Sequence, residues 1–333
     1  MTSLRDAVDE AAERTGFSGV VRVDRSDGTE LAAAYGFADR AHRVPATVET
    51  GFAIASGTKG LTALAVMGLV DRGTLDLATT ARSLLRDDLP LISDDVTVEH
   101  LLAHRSGIGD YLDEHAGTIS DYVLSVPVHE LATTEQYLAV LDGHETVSAA
   151  GERFSYNNAG YVVLALLAER ASGVDFHELV RTTVCGPAGM VDTAFLRSDE
   201  LPGRAARAYL ATDGLRSNVL HVPVLGSGDG GIYSTAADLA AFWDALFAGR
   251  IVSPARVVEM VRPRSDWPEE GRRYGLGFHL HATGDAVWLE GYDAGVSFTS
   301  LHRPSTSTTY SVLANTSGGA WPIVALLNER IAP

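Results

Sequence analysis

The chain has 333 residues, 46% of them hydrophobic and 21% charged, an ordinary globular balance with enough chain for one large domain or two lobes. A formal charge of −17 opposes nucleic acid and anionic membrane surfaces as partners, and the single cysteine, Cys185, excludes an internal disulfide and a cysteine-built metal cluster. Residues 1–16 hold no basic segment followed by an apolar one, and no apolar run reaches the ~18 residues of a membrane span, which predicts a cytoplasmic protein without leader or anchor.

Leu4, Val8, Ala11 and Ala12 fall at helical spacing and predict a first helix ending near Gly16. Phe17–Val23 reads as a strand, Ser26-Asp27-Gly28 as a turn and Leu31–Gly36 as the returning strand. The segment Leu61–Val70 is apolar on nearly all sides, the mark of a buried helix, with Gly73 as its stop. The middle of the chain is helical in pattern: Val98–His104, Thr134–Leu141, Ala159–Ala171, Phe176–Cys185 and a helix opened by Ser234-Thr235 that runs to Ala248. Strand character returns at Tyr274–Leu280, Ala286–Glu290, Val296–Leu301 and Thr308–Ala314, before a last helix at Trp321–Ile331. Strands at both ends and helices between them predict an α/β (α+β) fold. An antiparallel sheet is built from both chain ends (1–60 and 231–333) and flanked by helices. A mostly helical lobe (61–230) is inserted, and the site lies between the two.

One stretch concentrates chemistry: Phe52-Ala53-Ile54-Ala55-Ser56-Gly57-Thr58-Lys59. An apolar run delivers Ser56 to the start of a helix, and Lys59 follows three positions later on the same face. A serine hydroxyl becomes a useful nucleophile when a neighbouring base takes its proton, and a buried lysine can be that base. Lys59 is the only lysine in the chain; every other cationic side chain is arginine, which cannot shuttle a proton. A genome that replaces lysine by arginine explains the absence elsewhere and leaves the presence here to be explained.

A second candidate is Tyr156-Asn157-Asn158, on a loop before an apolar helix. Tyr156 can accept the Ser56 proton if Lys59 lowers its pKa, and Asn158 can orient Lys59. By itself the pattern equally describes a tyrosine packed at a helix start with an asparagine cap.

Taken together, Ser56-Gly57-Thr58-Lys59 and, about a hundred residues on, Tyr156-Asn157-Asn158 resemble the serine β-lactamase and penicillin-binding-protein superfamily. The Tyr-x-Asn form is like that of class C β-lactamases, DD-peptidases and related esterases. Leu101–Gly107, Pro187–Met190, and Gly230–Thr235 with Asp238-Leu239 match the same group in the same order. The resemblance implies a β-lactamase/transpeptidase-like fold and a Ser56 acyl-enzyme with Lys59, Tyr156 and Asn158 as partners. It also implies an oxyanion hole from the Ser56 and Gly295 amides, and no cofactor or metal. The chain departs where relatives carry Lys-Thr-Gly or His-x-Gly. Gly291–Phe298 is matched to that strand, with Tyr292 at the lysine position, Ala294 at the glycine position and Asp293 between them as substrate-lining residues. An uncharged Tyr292 and an anionic Asp293 disfavour a carboxylate-bearing substrate.

Several other patterns are set aside. Gly226–Gly231 satisfies G-x-G-x-x-G but opens no helix after a strand. His279 and His281 alternate on a strand without a third ligand and read as a solvated or substrate-lining pair. Asp229 reads as a turn residue, and His104, lacking a serine elbow to serve, as a tie within its own loop. The expectation is a serine hydrolase or acyltransferase acting on a small ester, amide or peptide. A true class C-type β-lactamase or D-Ala-D-Ala carboxypeptidase is the alternative within the class, and a catalytically silent binding relative is the one outside it.

Overall fold

The structure, a computed structural model, describes residues 3–112, 119 and 121–331. Helix α1 (Leu4–Thr15) is capped by Ser3 Oγ, which accepts from the Asp6 amide, and is stopped by Gly16 in the left-handed conformation. Strands β1 (Gly19–Arg25) and β2 (Gly28–Tyr35) form the expected hairpin. The short pair β3 (Phe37–Asp39) and β4 (Val44–Pro45) leads to β5 (Phe52–Ala53), a 3₁₀ turn at Ala55–Gly57 and α2 (Thr58–Asp71). The helical middle holds α3 (Ala81–Leu85), α4 (Val98–Leu102), α5 (Leu138–Leu141), α6 (Asn158–Ser172), α7 (Phe176–Val180) and α8 (Gly186–Ala188). Strands β6 (Ala194–Phe195) and β7 (Ile232–Ser234) precede α9 (Ala236–Phe247) and α10 (Pro254–Met260). The chain closes with β8 (Ser265–Trp267), β9 (Arg272–Tyr274), β10 (His279–His281), β11 (Val287–Asp293), β12 (Val296–Arg303), β13 (Thr308–Ala314) and α11 (Trp321–Ile331).

The main sheet has eight strands in the order β2-β1-β13-β12-β11-β10-β9-β8, antiparallel throughout, so the two chain ends meet at β1 and β13. Alternation across the pleat separates two faces. Val21, Val23 and Val312 pack with Val8 of α1 and Ile323 and Leu327 of α11, whereas Val20, Phe298 and Leu313 join the larger core of α2, α6 and α9. Two anchors fix the inner face: Trp243 Nε1 donates to Ser300 Oγ at 2.8 Å, and α2 is buried from Thr58 to Val70. Each fully buried leucine or valine there contributes on the order of 1.5–3 kcal/mol.

Two expectations change. The segment 274–280 is two strands: Gly275 N–H bonds Phe278 O, and Gly277 turns with φ +91° where a β-carbon would lie 2.3 Å from Ala63 Cβ. The chain must bend there to let the sheet sit on α2. The segment 134–141 is a 3₁₀ turn (Thr134–Tyr137) running into α5. The division at residues 60 and 231 into a sheet unit and a helical unit stands as a proposal. The large apolar core runs continuously through both, from Val20 to Leu313.

Candidate active site

Ser56 lies in a turn bonded at every side. Ile54 N–H bonds Ile232 O at 3.0 Å, and Gly57 N–H bonds Ile54 O at 2.9 Å. Thr58 Oγ donates to Ala55 O at 2.7 Å and accepts from Ile232 N–H at 3.2 Å. Ala55 is held at φ +43°, a left-handed conformation that a residue with a β-carbon adopts at a cost of roughly 1–2 kcal/mol. The turn that presents the hydroxyl is therefore strained and clamped.

Lys59 is 2% exposed and its Nζ makes three bonds: to Ser56 Oγ at 2.9 Å, Asn158 Oδ1 at 2.8 Å and the Asp229 carbonyl at 2.8 Å. Two of these partners, an amide oxygen and a backbone carbonyl, only accept. They fix two of the three Nζ valences as N–H, so the third is left facing Ser56 Oγ, as a proton on the ammonium or as a lone pair on the neutral amine. That is the geometry a proton-transfer partner needs. Tyr156 stands beside it, with Lys59 Nζ 5.0 Å from the centroid of its ring. The phenol ring is boxed by His104 at 4.3 Å, Trp267 at 5.9 Å and His279 at 6.4 Å between ring centroids.

The start of α6 is built around Asn158. Asn157 Oδ1 accepts from Gly160 N–H at 2.6 Å, so the helix cap is Asn157 and Asn158 is released for Lys59. Asp110 Oδ2 and Oδ1 accept the Asn158 and Ala159 amides at 2.6 and 3.0 Å. Burial lifts the Asp110 carboxyl to about 6, against the downward pull of those amides and of the Lys59 charge.

Asp229 and the glycines around it have a larger role than a turn. A β-carbon on Gly228 would lie 2.1 Å from Tyr161 O, and one on Gly226 would lie 2.3 Å from Gly230 O. Only glycine lets this loop press onto α2 and α6, where Gly228 O accepts from Thr62 Oγ at 2.7 Å and Asp229 O takes Lys59. The Asp229 carboxylate accepts from Tyr111 Oη, and burial together with that charge pushes the Tyr111 phenol well above its usual range. The glycine run was the sequence clue to this close approach.

Strand β11 requires a correction of register. A β-carbon on Gly291 would lie 2.1 Å from Ile54 O and 3.1 Å from Gly57 N, and one on Gly60 would lie 2.3 Å from Leu289 Cδ2. Leu289-Glu290-Gly291 is thus the segment that crosses the Ser56 turn, three residues upstream of the expected one, and a buried leucine stands at its head. Gly295 sits in the β11–β12 turn at φ +74° and its N–H donates to Ser317 Oγ at 2.8 Å, which removes it from the oxyanion hole. Tyr292 is 46% exposed and its ring lies 6.3 Å from Trp321, away from the cleft. Ala294 is buried, its O accepting from Asn218 Nδ2 at 2.9 Å. Of the three expected substrate-lining residues only Asp293 lines the cleft, which adjoins Ser56 through Ala55, Asp229 and Gly230 and is otherwise walled by groups such as Tyr111, Tyr137 and Val296. Neither lysine nor arginine is among its described lining residues.

His279 and His281 do not act as a pair. His279 is buried beside Tyr156, and His281 is exposed, its Nδ1 accepting from Thr283 and Gly284 amides at 3.2 and 2.7 Å. Among the described residues no cluster of three or more histidine, cysteine or acidic groups could hold a metal, and no helix is long and apolar enough to cross a membrane.

Known proteins with similar sequences or folds add to this picture. The family model described as Beta-lactamase matches residues 4–327. The putative penicillin-binding protein PbpX of Bacillus subtilis is 26% identical over 80% of this chain, and penicillin-binding protein 4* of the same organism is 26% identical over 83%; the match spans 62% of the length of each. Esterase EstB of Burkholderia gladioli is 34% identical over 61% of this chain and 53% of its own. Among solved structures, a penicillin-binding protein from Bacillus halodurans superposes with a TM-score of 0.90 at 32% identity, covering 97% of this chain and 99% of that one. D-amino acid amidase from Ochrobactrum anthropi SV3 superposes with a TM-score of 0.79 at 25% identity, covering 99% and 100%.

Proposed function

Since the chain belongs to the Beta-lactamase family of serine hydrolases, we propose that it cleaves or transfers an ester or amide acyl group through a covalent Ser56 intermediate. The observation that carries this is the position of Lys59 Nζ: two fixed acceptors and the Ser56 hydroxyl at 2.9 Å. Ser56 Oγ forms a bond to the carbonyl carbon as its proton passes to the Lys59–Tyr156 pair. The carbonyl π bond opens to an oxyanion, which re-forms the carbonyl as the bond to the leaving group breaks, and that group departs with the proton. Water or another hydroxyl or amine then repeats the sequence on the acyl-enzyme and frees Ser56. The oxyanion is held by the Ser56 N–H and by a backbone N–H of β11 beside Gly291, for which Tyr292 N–H is the proposed donor; one such donor is worth about 10²–10³ in rate.

The substrate we propose is neutral or cationic. Asp229 and Asp293 both face the cleft, and both charges, after burial itself, push the Tyr137 phenol up. Penicillins and D-Ala-D-Ala peptides present a carboxylate, which this wall repels, and Leu289 offers it no counter-charge. The relatives named as an esterase and as an amidase support an ester or amide of this kind. Side-by-side assays with a p-nitrophenyl ester and with nitrocefin test it: the ester is turned over and nitrocefin is not. Ser56→Ala abolishes turnover with the fold retained, a loss of at least about 10³-fold. Full ester turnover by that variant, or efficient nitrocefin hydrolysis by the native chain, overturns the corresponding half of the proposal.

A further inference from the structure

Building on the hydrolase reading above, we infer that His104 is the residue that positions Tyr156 and Asn158 for proton transfer at Ser56. His104 is 1% exposed and follows α4 in a loop, but its bonds reach out of that loop. Its carbonyl accepts the Ser155 amide at 2.8 Å, and its Nδ1 accepts the Asn157 amide at 3.1 Å. The residues on both sides of Tyr156 are therefore pinned to one residue, through its backbone carbonyl on one side and its ring Nδ1 on the other, and that ring also lies against the phenol at 4.3 Å with a 36° tilt. The next residue, Asn158, holds Lys59 Nζ, so His104, the 155–158 loop and the lysine form one connected frame.

The frame is held under strain. His104 has φ +53°, a left-handed backbone in which a residue with a β-carbon persists only when its surroundings over-determine it. A histidine kept simply to fill the core would account for its burial and for its rings of contact with Tyr161 at 4.9 Å and Tyr274 at 4.7 Å. It would not account for the two flanking amides together with the strained backbone.

The chemistry of the ring suits a fixed acceptor. Because Nδ1 receives the Asn157 N–H, the neutral imidazole carries its proton on Nε2, which has no hydrogen-bond partner among the described residues and is surrounded by aromatic rings. Protonating Nδ1 would set two N–H groups against each other. Burial, with the Lys59 charge and His279 adding to it, holds the imidazole well below its usual range. His104 thus orients the relay and carries no proton in it.

The test separates orientation from plain structural support. His104→Phe keeps the ring and removes the acceptor; kcat per active site, counted by fluorophosphonate labelling and intact mass, falls by about 10- to 100-fold while KM changes less than about threefold. His104→Asn restores most of kcat, since its Oδ1 takes the place of Nδ1 and asparagine tolerates positive φ. His104→Gln, whose oxygen reaches to the Nε2 position instead, restores less. In a Tyr156→Phe background, His104→Phe costs little further, because two residues acting through one proton path are not additive. An unchanged kcat per labelled site, an equal loss in both backgrounds, or a glutamine variant matching the asparagine one overturns the assignment. If His104→Phe does not fold, the order of asparagine and glutamine decides alone. None of these outcomes depends on Ser56→Ala, whose full activity would instead sink the hydrolase reading itself.

Discussion

Two segments meet over Ser56, and they are written in different alphabets. The 52–61 segment carries its chemistry in side chains: a hydroxyl and the sole amine, three residues apart at the start of a helix, closing to 2.9 Å. The 289–295 segment carries its chemistry in the backbone, in how near a strand can pass to a turn, and that is decided by Gly291 meeting Ile54 O. A side-chain pair at helical spacing is legible from spacing alone. A strand whose contribution is an amide and a missing β-carbon can be slid along the sequence without any residue type objecting, and the stretch that meets the serine turn lies three residues upstream of the expected one.

That contrast can be broken or sharpened. The largest effect belongs to the side-chain segment: Lys59→Arg lowers kcat by about 10³-fold or more although charge is kept, since guanidinium releases no proton and cannot match three bonds around one nitrogen. Near-native turnover would remove lysine from the proton path. Next comes the backbone segment, where Gly291→Ala puts a carbon 2.1 Å from Ile54 O and so displaces β11 or the serine turn. We expect kcat to fall about 10²-fold with KM much less altered; steady-state kinetics that match the native enzyme would show that β11 is not the strand that completes the site. A smaller effect follows from the wall: Asp293→Asn raises kcat/KM for a carboxylate-bearing ester over its uncharged counterpart by about three- to tenfold, an advantage that shrinks with added salt. An unchanged ratio would mean that the carboxylate does not face substrate.

The smallest effect is on stability. Asp110 is raised to about 6 in the folded chain, above the ordinary 3.8 that the unfolded chain retains. The folded state therefore holds the Asp110 proton more tightly. The group's contribution to stability is fully present below about 3.8, declines as pH rises through the interval up to about 6, and stays at its lower level beyond. Melting temperatures of native protein and Asp110→Asn, compared from pH 4 to 8, should diverge across that window, the variant lacking the decline. Parallel curves would place the carboxylate in a wetter setting.

Much of the frame was legible because period and composition agree with what packing requires. The sheet built from both ends, the buried α2, and β13 and α11 to the residue came from alternation and helical spacing. The bend at Gly277, the glycine loop at Gly226–Gly231 and the turn at Gly295 escape a reading of the sequence for a shared reason: each is fixed by the close approach of a distant element, at Ala63 Cβ, Tyr161 O or Tyr209 N, that no local window contains. His104 and Asp229 were passed over likewise. The His104 ring serves a main-chain amide 53 residues away and the Asp229 carbonyl serves Lys59 Nζ 170 residues away, and a side chain or carbonyl that serves a distant element leaves no motif.

The three bonds at Lys59 Nζ sit on the only amine side chain in the molecule. Protein grown on nitrogen-15 lysine would accordingly show one side-chain resonance, and its chemical shift across a titration would report whether that nitrogen holds two hydrogens or three at rest, with no assignment needed and no second site to confuse it.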